Sequence, residues 1–490
     1  MNVSPRIDEP GALAISAGAL AAIGVTLLGL VTLGLAGTLG MADHQGLYLL
    51  VLPAVFLGAF LSWINERIWV YVSILGHVVV FMTTSDSVGG AEMAFSALTL
   101  SGLCVWLFKE TVIHRRFLVQ SGFDALLMAI FISTTVVTMI ASILHNGDPL
   151  WYMSEWTKML DCLLYFPIRR FIRTREDVIK LVTLFALIGI AMGLVGVATY
   201  RERLLKAVFA YQIESSRIFA NEPVSMAFAI LGTVIVAYAR TRFMKITGVF
   251  LTMSGLLFLI ITFSRGAIGS AAIGIVFVVM FSGHGRRVLA TIVFSLVVAA
   301  AGVYVAFPDI ASTLATSVGR RVGSIGAAST DISFNLRVIE AKTLLNNYIP
   351  FSPIIGHGYG VRYHWYEPLE KHSLNHTFIH NGYVKLLFKY GYPLSVFFAF
   401  FMVYPLLRVA IRAPSKRDQA THAMMVGCVA YMICSLVNNY VSDMYSNFAG
   451  PLNYVLCWAI LDYVNRRTAP AREHAPMPEP PTRPLAIAGV

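Results

Sequence analysis

The sequence has little charge and lacks the motifs that mark nucleotide-dependent enzymes. Charged residues make up 13% of its 490 positions, whereas hydrophobic residues make up 57%. Such a chain buries most of its length in lipid, which excludes an ordinary soluble fold. It contains no P-loop and no GxGxxG after a predicted strand, so use of a nucleotide is not expected. The net charge of +11 suits a protein between anionic leaflets and implies no nucleic-acid partner.

Cysteine is also scarce, and its pattern excludes a zinc site of known spacing. The five cysteines all lie in apolar runs, where we interpret them as reduced core residues. They are Cys104, Cys162, Cys428, Cys434 and Cys457.

What the chain does contain is a long series of apolar runs, several of them close to the ~20 residues of a membrane-crossing helix. The predicted fold class is therefore all-α, a polytopic membrane protein of about 12–14 transmembrane helices. The run at 155–171 includes Lys158 and Asp161, which are unusual in a span. Fourteen runs can be assigned, at 11–38, 46–62, 67–83, 90–108, 123–145, 155–171, 178–199, 223–240, 244–263, 266–283, 287–307, 391–411, 419–438 and 449–465.

Basic residues in the short connections orient these runs. Cytoplasmic loops are enriched in Lys and Arg, and here basic residues follow the even-numbered runs. This alternation predicts that both termini are cytoplasmic and that the other loops face the periplasm. The loop 200–222 breaks the rule, because it is predicted to lie outside although it contains Arg201, Arg203, Lys206 and Arg217. We attribute these cations to function, since removing a span would misplace the neighbouring basic turns.

The predicted domain organisation is one integral membrane helical domain over residues 1–466. Residues 308–390 are inserted in it as a large, partly helical periplasmic loop. Within this loop, residues 333–347 show helical periodicity and place Arg337 and Glu340 on one face. The proline-rich residues 467–490 are predicted to form a disordered cytoplasmic tail.

Near the end of this loop, histidines recur at every fourth position, at His372, His376 and His380. On a helix they would share a face and could bind a metal ion, although the polar residues between them disfavour a continuous helix. A second interpretation is a polar loop whose imidazoles face water. The third is that one histidine, with His380 as our choice, acts as a base, because a neutral imidazole can accept a hydroxyl proton near pH 7.

Three arginines are predicted to lie at the same membrane rim. Arg265 lies between two apolar runs, where it must pair, face an aqueous cavity or snorkel to the headgroups. Arg217 comes shortly before a span and could also be an ordinary loop residue. Together with Arg337 they would suit a phosphate-bearing substrate, because guanidinium groups bind phosphate oxygens in a bidentate manner.

In their order and spacing these pieces resemble the O-antigen ligase and polymerase superfamily of bacterial envelope proteins. The resemblance covers roughly residues 175–460, and each piece is short when taken alone. The matching pieces are Arg217 with Asn221 and Pro223, Ser264 to Gly266, Arg337 with Pro353, Gly356, Gly358 and Gly360, and His380 and Asn381 with Gly391 and Pro393.

The resemblance implies an inverting, metal-independent glycosyltransferase without a cofactor, embedded in the bacterial inner membrane with its active site facing the periplasm. Its donor would be a glycan on undecaprenyl diphosphate. By the same resemblance, Arg217 and Arg265 bind the donor diphosphate and His380 activates the acceptor hydroxyl. Arg337 and Asn381 are further candidates for substrate binding. The role of two lysines after His380, Lys385 and Lys389, stays open.

Several functional alternatives stay open at this point. A ligase would use lipid A–core as acceptor, whereas a polymerase would use a growing lipid-linked glycan. One large outer loop before three final spans favours the ligase. A transporter of lipid-linked sugar would more often show repeated halves, which this sequence does not. A non-catalytic scaffold would leave Arg265 without an explanation.

Overall fold

The structure is a computed structural model, and it describes residues 44–82, 90–187, 190–191, 222–261, 264–306, 332–367, 372–376, 379–411, 418–443 and 450–468. Within these residues the fold is all-α apart from one small hairpin, which confirms the predicted fold class. In chain order the helices are α1 (His44–Ile64), α2 (Glu66–Met82), α3 (Gly90–Phe108), α4 (Gly122–Leu144), α5 (Pro149–Leu160), α6 (Tyr165–Phe171), α7 (175–187), α8 (Glu222–Tyr238), α9 (Arg242–Ile261), α10 (Arg265–Phe281), α11 (Gly285–Ala306), α12 (Ile332–Asn347), α13 (Gly382–Ile411), α14 (Gln419–Asn438) and α15 (Gly450–Thr468).

Several of these helices are long and apolar enough to cross a membrane, as expected of a multi-pass membrane protein. Among the described residues there are five such helices, at Met93–Ile113, Gly122–Leu144, Arg242–Leu259, Gly382–Val409 and Gln419–Asn438. The first of these combines α3 with the π-helical turn Lys109–Ile113 that continues it. Three shorter apolar helices accompany them, at Leu50–Ile64, Glu222–Tyr238 and Gly266–Phe281. The total of 12–14 spans stays a prediction, because the run at 11–38 and most of 188–199 lie outside the described residues.

The predicted run at 155–171 is not one continuous α-helix. Its first helix, α5, begins earlier, at Pro149, where a proline fits the first helical turn. A 3-10 turn at Asp161–Leu164 then joins α5 to α6. Pro167 follows this turn and cannot donate a backbone hydrogen bond to the residue four positions earlier, which explains the local tightening.

Helices α8 and α14 run antiparallel and define two ends of the bundle. A 17-residue helix such as α8 is ~25 Å long, so the two ends are well separated. We call them the Glu222 end and the Arg240 end. Side-chain contacts fix the pairing, with Asn438 Nδ2 3.3 Å from Glu222 Oε2, Tyr238 Oη 3.0 Å from His422 Nδ1, and Arg240 Nε 3.4 Å from Gln419 Oε1.

Glycines allow α8 and α9 to pack closely. A Cβ on Gly255 would lie 2.4 Å from the backbone nitrogen of Ala229, and a Cβ on Gly232 would lie 2.4 Å from that of Thr252. Small residues at such contacts are typical of membrane helix pairs, which gain little from hydrophobic burial between helices.

The loop before α13 forms a small unit with its own core. Its two strands, β1 (Tyr363–Glu367) and β2 (His372–His376), pair antiparallel with Tyr363 opposite His376. Because His372–His376 is a strand, the helical histidine ladder that the metal interpretation requires does not form. The buried residues that join the hairpin to α12 and α13 are Leu344, Ile349, Val361, Tyr363, Trp365, Ile379, Val384 and Phe388.

Candidate functional site

His380 is oriented by a buried carboxylate. Its Nδ1 lies 3.0 Å from Oε2 of Glu340, which also accepts the backbone N–H of His380 at 3.2 Å. The imidazole is 39% exposed and the carboxylate only 3% exposed. An ionised carboxylate can only accept hydrogen bonds, so Nδ1 carries the proton and the lone pair of the neutral ring is on Nε2. His380 therefore has the geometry of a base that acts through Nε2.

Glu340 is held ionised by its neighbours. Burial of this carboxyl would raise its pKa, but hydrogen bonds from His380 and Tyr363 outweigh burial and lower the pKa below its usual value. Tyr363 donates its hydroxyl to Glu340 Oε1, and burial with the nearby carboxylate raises the pKa of Tyr363. The sequence placed Glu340 beside Arg337 but did not predict this contact, and Tyr363 was missed.

Asn381 caps the helix that follows His380. Its Oδ1 accepts the backbone N–H groups of Tyr383 and Val384 at 3.0 and 3.1 Å. This side-chain cap satisfies donors that α13 leaves free at its start. Because Oδ1 is used by the cap, a substrate contact of Asn381 would be made through its amide nitrogen. This contact stays a prediction.

The turn at 438–443, which we call the 438–443 turn, connects the site residues to the membrane helices. The carbonyl of Asn439 accepts the backbone N–H of Gly382 at 2.9 Å. The carbonyl of Val441 accepts Nη1 of Arg337 at 2.7 Å. His380 and Arg337 are thus brought to one turn, at the Glu222 end of the bundle.

The backbone of Arg265, the first residue of α10, lies next to the same turn. A Cβ on Gly266 would lie 2.1 Å from Val441 Cγ2, so the start of α10 packs directly on the turn that Arg337 contacts. The helix N-terminus itself favours anions, because its first N–H groups lack helical partners. The side chain of Arg265 and all of Arg217 lie outside what the structure describes, so their predicted diphosphate contact stays a prediction.

These contacts form a closed circuit around His380. Lys385 Nζ lies 2.8 Å from Asp443 Oδ2, which ties α13 to the 438–443 turn a second time. The turn is linked to α12 by the hydrogen bond from Arg337, and α12 is linked to His380 by the hydrogen bond with Glu340. A ring of this kind fixes each member relative to the others, so the position of the imidazole depends on every contact in it.

Beneath this ring lies a buried group of charges, which we call the lysine cluster: Lys385, Lys389, Glu155 and Asp443. Lys389 Nζ is 2.9 Å from Glu155 Oε2, and Lys385 Nζ is 3.7 Å from Glu155 Oε1. All four residues are buried, so their two positive and two negative charges must balance one another. The sequence signal was two lysines four positions apart in an otherwise apolar helix, but their acidic partners were not predicted.

The glycine-rich turn Pro353 to Gly360 packs on α13. Gly391 breaks α13 with a φ of 71°, and Gly356 has a φ of 67°. Because the helix is broken at Gly391, backbone carbonyls just before the break can accept hydrogen bonds from the turn. The N–H of His357 donates to the carbonyl of Phe388 at 2.7 Å. A Cβ on Gly356 would lie 2.6 Å from the nitrogen of Gly391. The glycines of this turn therefore allow a close approach to the backbone of α13.

His357 is buried inside this turn. Its ring stacks on His145 with centroids 4.6 Å apart. Burial, together with the positive charge of Lys389 and the neighbouring His145, lowers the pKa of His357 to about 4. This histidine therefore stays neutral at pH 7 and serves packing.

A comparison with protein families identifies the region that holds this site. The model of a family described as O-Antigen ligase matches residues 248–401. The match includes Arg265, Arg337, Glu340, His380 and the break at Gly391. No curated protein matches the chain. Residues 248–401 thus match the O-antigen ligase family, and over this region the resemblance to the ligase and polymerase superfamily is confirmed.

Proposed function

We propose that this protein transfers a glycan from undecaprenyl diphosphate to an acceptor hydroxyl at the periplasmic face of the bacterial inner membrane, with His380 as the general base. The observation that carries the proposal is the Glu340–His380 hydrogen bond of 3.0 Å. It leaves Nε2 as the basic atom on a half-exposed imidazole. The family match supports a ligase- or polymerase-type activity in general.

The reaction needs one base and a cationic site for the leaving group. The acceptor oxygen attacks the anomeric carbon from the side opposite the diphosphate, and its proton passes to Nε2 of His380. The bond from the anomeric carbon to the diphosphate breaks, and the diphosphate leaves with the electron pair, which inverts the configuration. Glu340 stabilises the imidazolium that forms, in the way a carboxylate supports histidine in other enzymes.

The donor diphosphate would be held by Arg217 and Arg265, since bidentate guanidinium contacts fit its oxygens. This arrangement needs no metal ion. For the acceptor we propose lipid A–core, because one large outer loop precedes the final spans. Polymerisation of lipid-linked repeat units is the alternative outcome of the same chemistry.

The test is a transfer assay with purified protein, lipid-linked glycan donor and either lipid A–core or a second lipid-linked glycan as acceptor. His380→Ala should lower the rate ~10²–10⁴-fold, as loss of a general base does. The control is His364→Ala, an exposed histidine on the neighbouring strand, which should keep wild-type activity. EDTA should leave the wild type unaffected. Retained activity in His380→Ala, or inhibition by EDTA, would contradict this mechanism, and the preferred acceptor decides between ligase and polymerase.

A further inference from the structure

A large apolar cavity lies between helices at the opposite end of the bundle from His380. Its volume is about 660 Å³, and it is lined mainly by α7, α8, α14 and α15, with Met244 contributed by the start of α9. Small side chains at Ala227, Ala423 and Gly427 leave the space open. This volume is in the range of ~300–1,000 Å³ that protein pockets use for small ligands.

The cavity is as deep as one leaflet of a membrane. On α14 its lining runs from Gln419 at the Arg240 end to Tyr431, a distance of ~18 Å at 1.5 Å per residue. Half of a ~30 Å hydrocarbon core is ~15 Å. The shape and the apolar walls therefore fit an extended hydrocarbon chain that enters from one leaflet.

The mouth of the cavity is cationic. Arg175 and Arg240 lie there and are both exposed. Arg240 contacts only a neutral acceptor among the described residues, Gln419 Oε1, at 3.4 Å through Nε and Nη2. Asp418 is the one carboxylate among the described residues that line the cavity, and it accepts hydrogen bonds from the backbone N–H and the hydroxyl of Thr421. Two exposed guanidinium groups thus lie at the mouth of an apolar cavity.

We propose that this cavity binds an anionic phospholipid, with its phosphate between Arg175 and Arg240 and an acyl chain between α8 and α14. Basic pockets between transmembrane helices favour anionic head groups, and the apolar walls select a lipid over a free phosphate. The site lies at the end of α8 and α14 opposite the 438–443 turn, so lipid binding here is separate from the chemistry at His380.

The full-length protein in detergent is titrated with phosphatidylglycerol, with phosphatidylcholine of the same acyl chains, or with glycerol 3-phosphate. Thermal unfolding and native mass spectrometry report binding, because a ligand that binds the folded state raises the melting temperature. Phosphatidylglycerol should raise the melting temperature more than phosphatidylcholine, and glycerol 3-phosphate should have no effect. Arg175→Ala with Arg240→Ala should weaken phosphatidylglycerol binding roughly 30-fold.

Two further variants make the result decisive. Arg287→Ala removes an exposed arginine of the same end that does not line the cavity, and it should bind phosphatidylglycerol as the wild type does. Ala423→Phe fills the apolar part and should abolish the lipid-dependent rise. Equal responses to both phospholipids, wild-type affinity in the double arginine variant, or unchanged binding in Ala423→Phe would each overturn the proposal.

Discussion

Basic side chains are treated differently at the two ends of this membrane bundle. Below His380, Lys385 and Lys389 are buried and paired with Glu155 and Asp443 at distances down to 2.8 Å. At the cavity mouth, Arg175 and Arg240 are exposed, and Arg240 contacts a neutral amide. The first group holds protein atoms in place, whereas the second is available to something outside the protein.

The difference shows that this protein uses buried charges to fix its own structure and exposed charges to contact other molecules. A buried charge is tolerated only with its partner, so a buried pair fixes a unique arrangement of the elements that carry it. An exposed charge costs little to maintain and is not committed to one geometry.

The largest effect is expected when the lysine cluster loses one member. Lys389→Met leaves Glu155 with the N–H of Gly360 at 2.8 Å and, as its cation, only Lys385 at 3.7 Å among the described residues. It should lower the free energy of unfolding by about 3–5 kcal/mol. Arg240→Ala, measured in detergent without added lipid, should change it by less than about 0.5 kcal/mol. Both are measured by denaturant unfolding. The double variant Lys389→Met with Glu155→Gln should recover much of the loss, and equal losses at the two ends would break the comparison.

The next largest effect concerns the carboxylate that orients His380. Glu340→Gln removes the negative charge that stabilises the imidazolium, and should lower kcat about 10²-fold or more with a smaller change in KM. Tyr363→Phe, which keeps the charge and removes one hydrogen bond, should cost less than about 10-fold. Initial rates at saturating donor measure both. A Glu340→Gln enzyme with near-normal kcat would show that the carboxylate only packs.

A smaller, pH-dependent effect is expected at His357. Its pKa in the folded protein is about 4, below the ~6.5 of an unfolded histidine. As pH falls from 6.5 to 4, the unfolded chain binds a proton that the folded protein cannot, so stability is lost across this window, by up to about 1.4 kcal/mol per pH unit. Melting temperatures at several pH values should show a shallower dependence in His357→Phe, and an unchanged slope would argue against a buried neutral histidine.

The smallest effect is expected at the helix cap. Asn381→Ala should cost about 1 kcal/mol of stability, whereas Asn381→Asp should keep it, because aspartate caps helices equally well. Thermal unfolding compares the two variants. The transfer rate of Asn381→Asp then separates the two possible roles, since retained activity would remove this residue from the substrate site.

Local features of the fold could be read from the sequence. The run at 223–240 became helix Glu222–Tyr238, and the periodicity at 333–347 became helix Ile332–Asn347, because apolar spacing over one segment determines both. His380 was singled out from its place at the end of the loop. The sequence signal was therefore strongest where neighbours in the chain decide the structure.

Contacts between distant segments could not be read in this way. Glu155 and Lys389 are 234 positions apart, and no single segment shows that they meet. The hydrogen bond from Tyr363 to Glu340 likewise joins a strand to a helix, across 23 positions of the chain. The apolar run assigned at 391–411 also begins nine residues after the observed start of α13 at Gly382, because the first turns of this helix contain Lys385 and Lys389.

The break at Gly391 also determines how this protein can be recombined with its relatives. The turn at 353–360 caps the short helical piece before Gly391, and Tyr392 just beyond it donates its N–H to Pro353 at 2.7 Å. A chimera joined between 381 and 392 would therefore take the turn at 353–360 from one protein and the helix segment that it contacts from the other. Exchange of this loop between related proteins should succeed only when residues 332–392 move as one block.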